Sequence, residues 1–261
     1  MITKLFINFI IGLFLLNISI YADKLQDIKD RGFIKVGLKY DAKPMSFKSR
    51  SGKLIGFEVD LSKEIAKILH VKTKFVEVTS KNRFKYVLNN KIDIALATAT
   101  HTIQRDSNLD FSISYFYSGQ VILARKTSKE TSYKSYEGKI MAATTGSTSG
   151  AIFEIIQPLC KVVYYDKLKD AVKALKSKKV DGVTSDFSLL IGYYKSDKRG
   201  LKLVGKKFTL EPYGISMQEN ESNLRDEINF ALQDIVKKGK YDKIYIKWFG
   251  VPPLRKPVLW P

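Results

Sequence analysis

Side chains suited to holding charged groups of a small ligand gather at four points of the chain. Ala97–Arg105 (Ala-Thr-Ala-Thr-His-Thr-Ile-Gln-Arg) carries three threonines and ends on Arg105. Arginine grips a carboxylate through a planar two-pronged donor, and threonine hydroxyls with turn amides could complete such a site. Thr144–Gly150 is made only of Thr, Ser and Gly, which lets backbone amides at a helix start approach an anion. Asp186 follows Gly182-Val183-Thr184-Ser185 and reads as an acid facing a cleft or as a helix cap. Lys39 follows the β-rich run Phe33–Leu38. Plainer readings stand beside these: a surface arginine after a threonine-rich turn, and an ordinary capping loop.

The elements that must position these groups alternate. Phe33–Leu38 reads as a strand, and Leu61, Ile65, Ile68 and Leu69 share one helix face. Lys74–Val78 reads as a strand, Arg83–Asn89 as a helix and Ile92–Ala97 as a buried strand. Ala151–Ile156 reads as a helix. Leu168, Ala171, Val172 and Leu175 mark another, and Leu224, Ile228, Leu232, Ile235 and Val236 a last one, closed by Gly239. Alternating strands and helices imply βα units and a mainly parallel sheet. Lys91-Ile92-Asp93-Ile94-Ala95 and Lys179-Val180-Asp181-Gly182-Val183 occupy the same helix-to-strand position, which suggests two lobes of related design. In open parallel α/β sheets ligands bind beyond the C-terminal strand ends, where the four points lie.

The chain has 261 residues, 44% hydrophobic and 27% charged, which excludes a disordered or fibrous protein. One cysteine, Cys160, allows no internal disulfide and no cysteine-based zinc site, and two histidines, His70 and His101, leave little for a metal centre. No metal and no cofactor are expected. No G-x-S-x-G, H-E-x-x-H, P-loop, C-x-x-C or G-x-G-x-x-G occurs, and no catalytic residue is assigned.

Residues 1–22 carry a single charge, Lys4, then an apolar stretch, Leu5–Leu16, too short to span a bilayer. Ending on Ala22, they read as a cleaved export signal rather than a membrane anchor. Export to the periplasm changes the meaning of the net charge of +19. The lysines are spread along the chain, and a nucleic-acid partner is not expected.

Three stretches carry a resemblance: Gly56-Phe57-Glu58-Val59-Asp60-Leu61; Thr100–Arg105 with Leu109-Asp110-Phe111-Ser112 and Tyr115; and Gly239-Lys240-Tyr241-Asp242-Lys243-Ile244-Tyr245 with Lys247-Trp248-Phe249-Gly250. In that order, after an export signal, the chain resembles the extracellular solute-binding protein family 3, the polar amino-acid receptors of ABC importers. The resemblance implies a type II periplasmic-binding fold: two α/β lobes joined by two crossing segments, near Tyr115–Gly119 and Glu211–Ile215. Lobe 1 would comprise residues 23–116, lobe 2 residues 117–213, and residues 214–261 would return to lobe 1 and end in a tail. By the same likeness Arg105 would hold the ligand α-carboxylate, with Thr98 and Thr100 at a strand end and Ser147 and Thr148 in the second lobe's turn. Asp186 would take the α-ammonium. A monomer that passes its ligand to a membrane permease is implied.

Two departures matter. Where the family often stacks an aromatic ring on the ligand, this chain has Ala42, and Met45 stands where Phe is frequent; Tyr40 is the candidate to supply the ring. The tail Val251–Pro261 extends beyond the family's usual end. Lys39 and Arg83, with a hydroxyl from Thr98, would face the ligand's side chain and favour a second carboxylate, glutamate or aspartate. A neutral polar ligand such as glutamine or cysteine is the alternative. A dehydratase acting on a small carboxylic acid, or a sensory or surface protein, remain alternatives from other classes.

Overall fold

The computed structural model describes residues 23–258; the proposed export signal lies outside them. Two five-stranded sheets carry the molecule. In the first, Phe33–Leu38 lies between Lys72–Glu77 and Ile94–Ala95, parallel to both. Ser216–Met217 then adds antiparallel to Ile94–Ala95, and Asp110–Phe111 antiparallel to that. In the second, Ile140–Thr144 lies between Lys161–Tyr165 and Gly182–Asp186, again parallel to both. Gln120–Arg125 adds antiparallel to Gly182–Asp186, and Leu201–Val204 antiparallel to Gln120–Arg125. In each sheet four of the five strands run the same way, as the alternation of strands and helices implies, and one runs against them, so both sheets are mixed. Each contains a strand whose chain has just crossed from the other sheet and enters running the opposite way.

The crossings form a ribbon of their own, Phe116–Ser118 paired antiparallel with Glu211–Tyr213. Its outer end is tied to the first lobe by the bridge Thr100–Tyr213 and by the Gly214 amide donating to the Ala99 carbonyl at 3.0 Å.

The five-residue repeat has a physical meaning. Asp93 accepts from the Lys35 amide at 2.7 Å and pairs with Arg31. Asp181 accepts from the Ile140 amide at 2.9 Å and pairs with Arg125 at 3.3 Å. In each lobe a carboxylate just before the central strand satisfies an amide of the neighbouring strand and binds one arginine.

The first and last of the three resemblance stretches meet. The helix Phe57–Ile68 points Phe57 into a cluster of edge-on rings with Phe116, Tyr241, Tyr245 and Phe249 at 5.6–5.9 Å. Asp60 accepts from Trp248 Nε1 at 2.8 Å and from Lys247 at 2.6 Å. The terminal helix Lys240–Phe249 thus braces the first lobe's entry helix and the crossing ribbon together. The tail folds back over it, with Lys256 on Asp242 at 2.7 Å and Arg255 over the Tyr117 ring at 5.5 Å. Among the described residues no helix is long and apolar enough to cross a membrane.

Candidate functional site

A cleft opens where the C-terminal strand ends of both sheets face each other. Lys39, Arg83, Thr98 and Thr100 line it from the first lobe, and Ser147, Thr148 and Asp186 from the second. Ala42, Leu168 and Leu189 supply its apolar wall, and Asp41 and Asp166 stand at its margin.

Thr98 is the most tightly held of these residues. Its φ is +50°, the left-handed region, which a β-branched residue adopts only when its surroundings impose it. Three groups do so. The Thr98 amide donates to Glu58 Oε1 at 2.7 Å, its carbonyl accepts from Arg83 at 2.9 Å, and its hydroxyl accepts from Lys39 Nζ at 2.7 Å. Glu58 is fully buried in the first turn of its helix and also accepts from the Ser46 and Tyr115 hydroxyls, at 2.9 and 2.6 Å. Gly56 makes this approach possible: at φ +142° a side chain there would overlap the Met45 carbonyl. Replacing Glu58 by alanine would strand three buried donors. Glu58→Ala is expected to lower the unfolding free energy by about 2–4 kcal/mol in denaturant titration.

Burial, with Arg83 nearby, brings the Lys39 ammonium down to about 7. Burial, with Arg105 nearby, brings the Arg83 guanidinium down to about 9. Arg83 spends its hydrogen bonds on main chain: Nη1 donates to the Ala97 and Thr98 carbonyls, at 2.6 and 2.9 Å, and Nη2 reaches the Gly146 carbonyl at 3.4 Å. Nε has no partner among the described residues.

Arg105 sits at the rim rather than in the lining. It lies over the Phe84 ring and donates to the Thr100 carbonyl at 2.7 Å and, across the cleft, to the Gly146 carbonyl at 3.2 Å.

In the second lobe two residues at helix-capping positions do not cap. Thr148 precedes the helix Ser149–Ile156 and Asp186 precedes Phe187–Ser196, yet neither side chain bonds its own helix. The Thr148 hydroxyl donates to Glu211 at 3.0 Å. Asp186 Oδ2 accepts from the Tyr213 hydroxyl at 2.6 Å, while Oδ1 is buried with no partner among the described residues. Burial first, then the Glu211 charge, raises the Asp186 carboxyl to about 6. Ser147 turns its hydroxyl back to the Thr144 carbonyl at 2.7 Å.

Tyr40 does not line the cleft. Side chains alternate at the end of an extended strand, so Lys39 faces inward while the Tyr40 ring lies beneath Lys48 Nζ at 5.1 Å. The cleft lining carries no aromatic ring among the described residues; its apolar side chains are Ala42, Leu168 and Leu189. His101 is a turn residue, stacked on Phe111 and paired with Asp106. Cys160 is buried, its thiol pushed up to about 11 by burial. The sequence reading missed Glu58, Glu211 and Gln120. A charged residue on the buried face of the entry helix was the available signal for Glu58. Glu211 and Gln120 gave none, since each stands beside a crossing segment that pairs only in the folded chain.

With this geometry in place, the comparisons with known proteins converge. Residues 34–251 match the bacterial extracellular solute-binding proteins, family 3. The chain belongs to that family. It is 38% identical over 236 residues to the ABC transporter glutamine-binding protein of Bacillus subtilis, covering 88% of this chain and 86% of the relative. An ancestral arginine-binding protein solved with glutamine bound superposes with a TM-score of 0.82 at 38% identity, over 85% of this chain and 99% of the other. An ancestral amino acid-binding protein described as a precursor of cyclohexadienyl dehydratase superposes at 0.80 with 31% identity, over 87% and 100%. The fold is the type II periplasmic-binding fold, and the family to which this solute-binding protein belongs is one of amino-acid receptors of ABC transporters.

Proposed function

We propose that this solute-binding protein captures a neutral polar amino acid, glutamine foremost, by closure of its lobes in the periplasm and delivers it to an ABC permease. The observation that carries this reading is the balance of charge in the cleft. Of the two cations marshalled for a second carboxylate, Arg83 is committed to the carbonyls of Ala97 and Thr98, and Lys39, brought down to about 7 by burial, carries only part of its charge near pH 7. Asp41 stands at the margin with no paired cation among the described residues, and Asp166 beside it is paired with Lys81 at 3.2 Å. A side-chain amide, which donates and accepts, suits such a mixed surface better than a second anion. The 38% identity to a glutamine-binding protein supports it.

The ligand's main-chain groups have partners of opposite charge on opposite lobes. Arg105, with turn amides, takes the α-carboxylate, and the unpartnered Oδ1 of Asp186 takes the α-ammonium. A ligand bridging the two favours the closed arrangement because only that arrangement satisfies both ends. Tyr115–Gly119 and Glu211–Ile215 are the hinges of this closure.

An acidic ligand is the second reading, favoured by the Lys39 amine facing the cleft on Thr98. Calorimetry and melting curves against the twenty amino acids decide between them. Glutamine is expected to bind at least tenfold more tightly than glutamate or aspartate. At 100 times its Kd it should add about 2.7 kcal/mol of stability, a Tm rise of about 5–10 °C. Tighter binding of either acid would overturn the neutral-ligand reading.

A further inference from the structure

Glu211 lies on the crossing strand and is 1% exposed. No lysine or arginine pairs with it among the described residues. Its carboxylate is instead the meeting point of both lobes. Oε2 accepts the Thr100 hydroxyl of the first lobe at 2.6 Å and the Thr148 hydroxyl of the second at 3.0 Å. Oε1 accepts Gln120 Nε2 at 3.0 Å, and that same amide donates to the Thr148 oxygen at 3.1 Å.

A hydroxyl has one proton. Since a carboxylate only accepts, Thr100 and Thr148 have each spent theirs on Glu211. Their oxygens can then offer the cleft lone pairs alone. Ser147 is in the same state, its proton on the Thr144 carbonyl. Thr98 is the reverse: its oxygen already accepts from Lys39, so its proton is free to donate. Thr148 stands at the N-cap of the helix Ser149–Ile156, yet its hydroxyl bonds Glu211 and makes no bond to its own helix.

We propose that Glu211 is a positioning residue for ligand recognition: it turns the Thr100 and Thr148 hydroxyls into acceptors and, beside Asp186, sets the acceptor side of the cleft that receives the ligand's α-ammonium. Thr100 and Thr148 then serve the cationic end of the ligand, not its carboxylate. The carboxylate is left to Arg105, turn amides and the Thr98 hydroxyl. The proposal rests on the reading of Asp186 as the ammonium partner.

The test is the pH profile of binding, probed by calorimetry with L-glutamine, or with L-glutamate should that acid bind more tightly. The groups facing Asp186 are Glu211, which raises its carboxyl, and the Tyr213 hydroxyl, Lys39 and Arg83, which lower it; Arg105 feels both carboxylates. In the wild type, affinity should fall as pH drops through about 6, as Asp186 takes a proton. Glu211→Gln removes a neighbouring negative charge, so the carboxyl holds its proton less tightly. That variant should bind about tenfold more weakly near pH 7, with its acid midpoint lowered by about half a unit. Glu211→Asp keeps the charge but shortens the reach, and should bind more weakly with the midpoint unmoved. A Glu211→Gln protein with wild-type affinity, or with weakened affinity and an unmoved midpoint, would overturn the proposal. If that variant does not fold, wild-type affinity in Glu211→Asp overturns it. Asp186→Asn separates the two ideas. Wild-type binding there removes the ammonium reading itself, whereas loss of binding with an unaffected Glu211→Gln removes only the role of Glu211.

Discussion

Arg105→Ala is expected to abolish measurable amino-acid binding while leaving the fold intact. The guanidinium lies at the rim on a short helical turn, Ile103–Asp106, in which no residue is buried. Its removal opens no core cavity. Its two hydrogen bonds go to main-chain carbonyls, Thr100 and, across the cleft, Gly146, and water can replace it there. For the ligand no replacement exists. The other arginine nearby, Arg83, is fully buried and tethered through Nη1 to the Ala97 and Thr98 carbonyls, so it cannot move out to the rim to take the place of Arg105. A desolvated carboxylate that loses its charged partner costs about 2–5 kcal/mol, or some 30- to several-thousand-fold in Kd. Calorimetry and a thermal melt measure the two halves of the claim. Near-wild-type affinity would remove Arg105 from the site, and a collapse of Tm would make its role structural.

Gly146→Ala should uncouple ligand binding from fold stability in a different way. Gly146 lies in the second lobe's turn at φ +77°, and a Cβ there would overlap the Ser80 carbonyl of the first lobe. The backbone term alone is small, about 1 kcal/mol for alanine forced left-handed, or about 2–4 °C of Tm at this size. The steric term exists only when the lobes are together. Parting them relieves it, but parting also breaks the bonds from Arg83 and Arg105 to the Gly146 carbonyl and separates the two ends of the ligand site. Affinity should therefore fall on the order of 100-fold, about 2.7 kcal/mol, with only a modest change in Tm. Small-angle scattering should show less compaction at saturating ligand than in the wild type. Unchanged affinity would mean that Ser80 and Gly146 do not approach one another in the bound state.

The sequence made the periodic elements legible because burial imposes periodicity locally. Leu168, Ala171, Val172 and Leu175 fall within the helix Leu168–Lys176, all buried. Gly239 takes the left-handed conformation just after the helix Ser222–Lys237, as its position predicted. The buried run Ile92–Ala97 was only partly a strand: Ile94–Ala95 pairs, while the residues after it leave the sheet toward the left-handed Thr98. The mixed direction of both sheets was not legible, because a strand's direction depends on which lobe the chain has come from and not on its own residues.

The same division runs through the cleft. Lys39, Thr98, Thr100, Asp186 and the Ser147–Thr148 turn were identifiable from side-chain type and from their position at strand ends, a relation that survives in one dimension. Sequence by itself thus determined the family, the two-lobed design and the polar residues that reach the cleft. Tertiary structure decided what those residues are free to do. Whether Arg83 offers its charge or spends it on two carbonyls, whether Tyr40 faces the ligand or lies under Lys48, and whether Thr100 and Thr148 give protons or lone pairs all depend on partners far away in the chain. Glu211 is 111 residues from Thr100 and 63 from Thr148. A hydroxyl has one proton and a guanidinium a fixed fan of donors, so their remaining capacity is set by whichever groups the fold brings against them first.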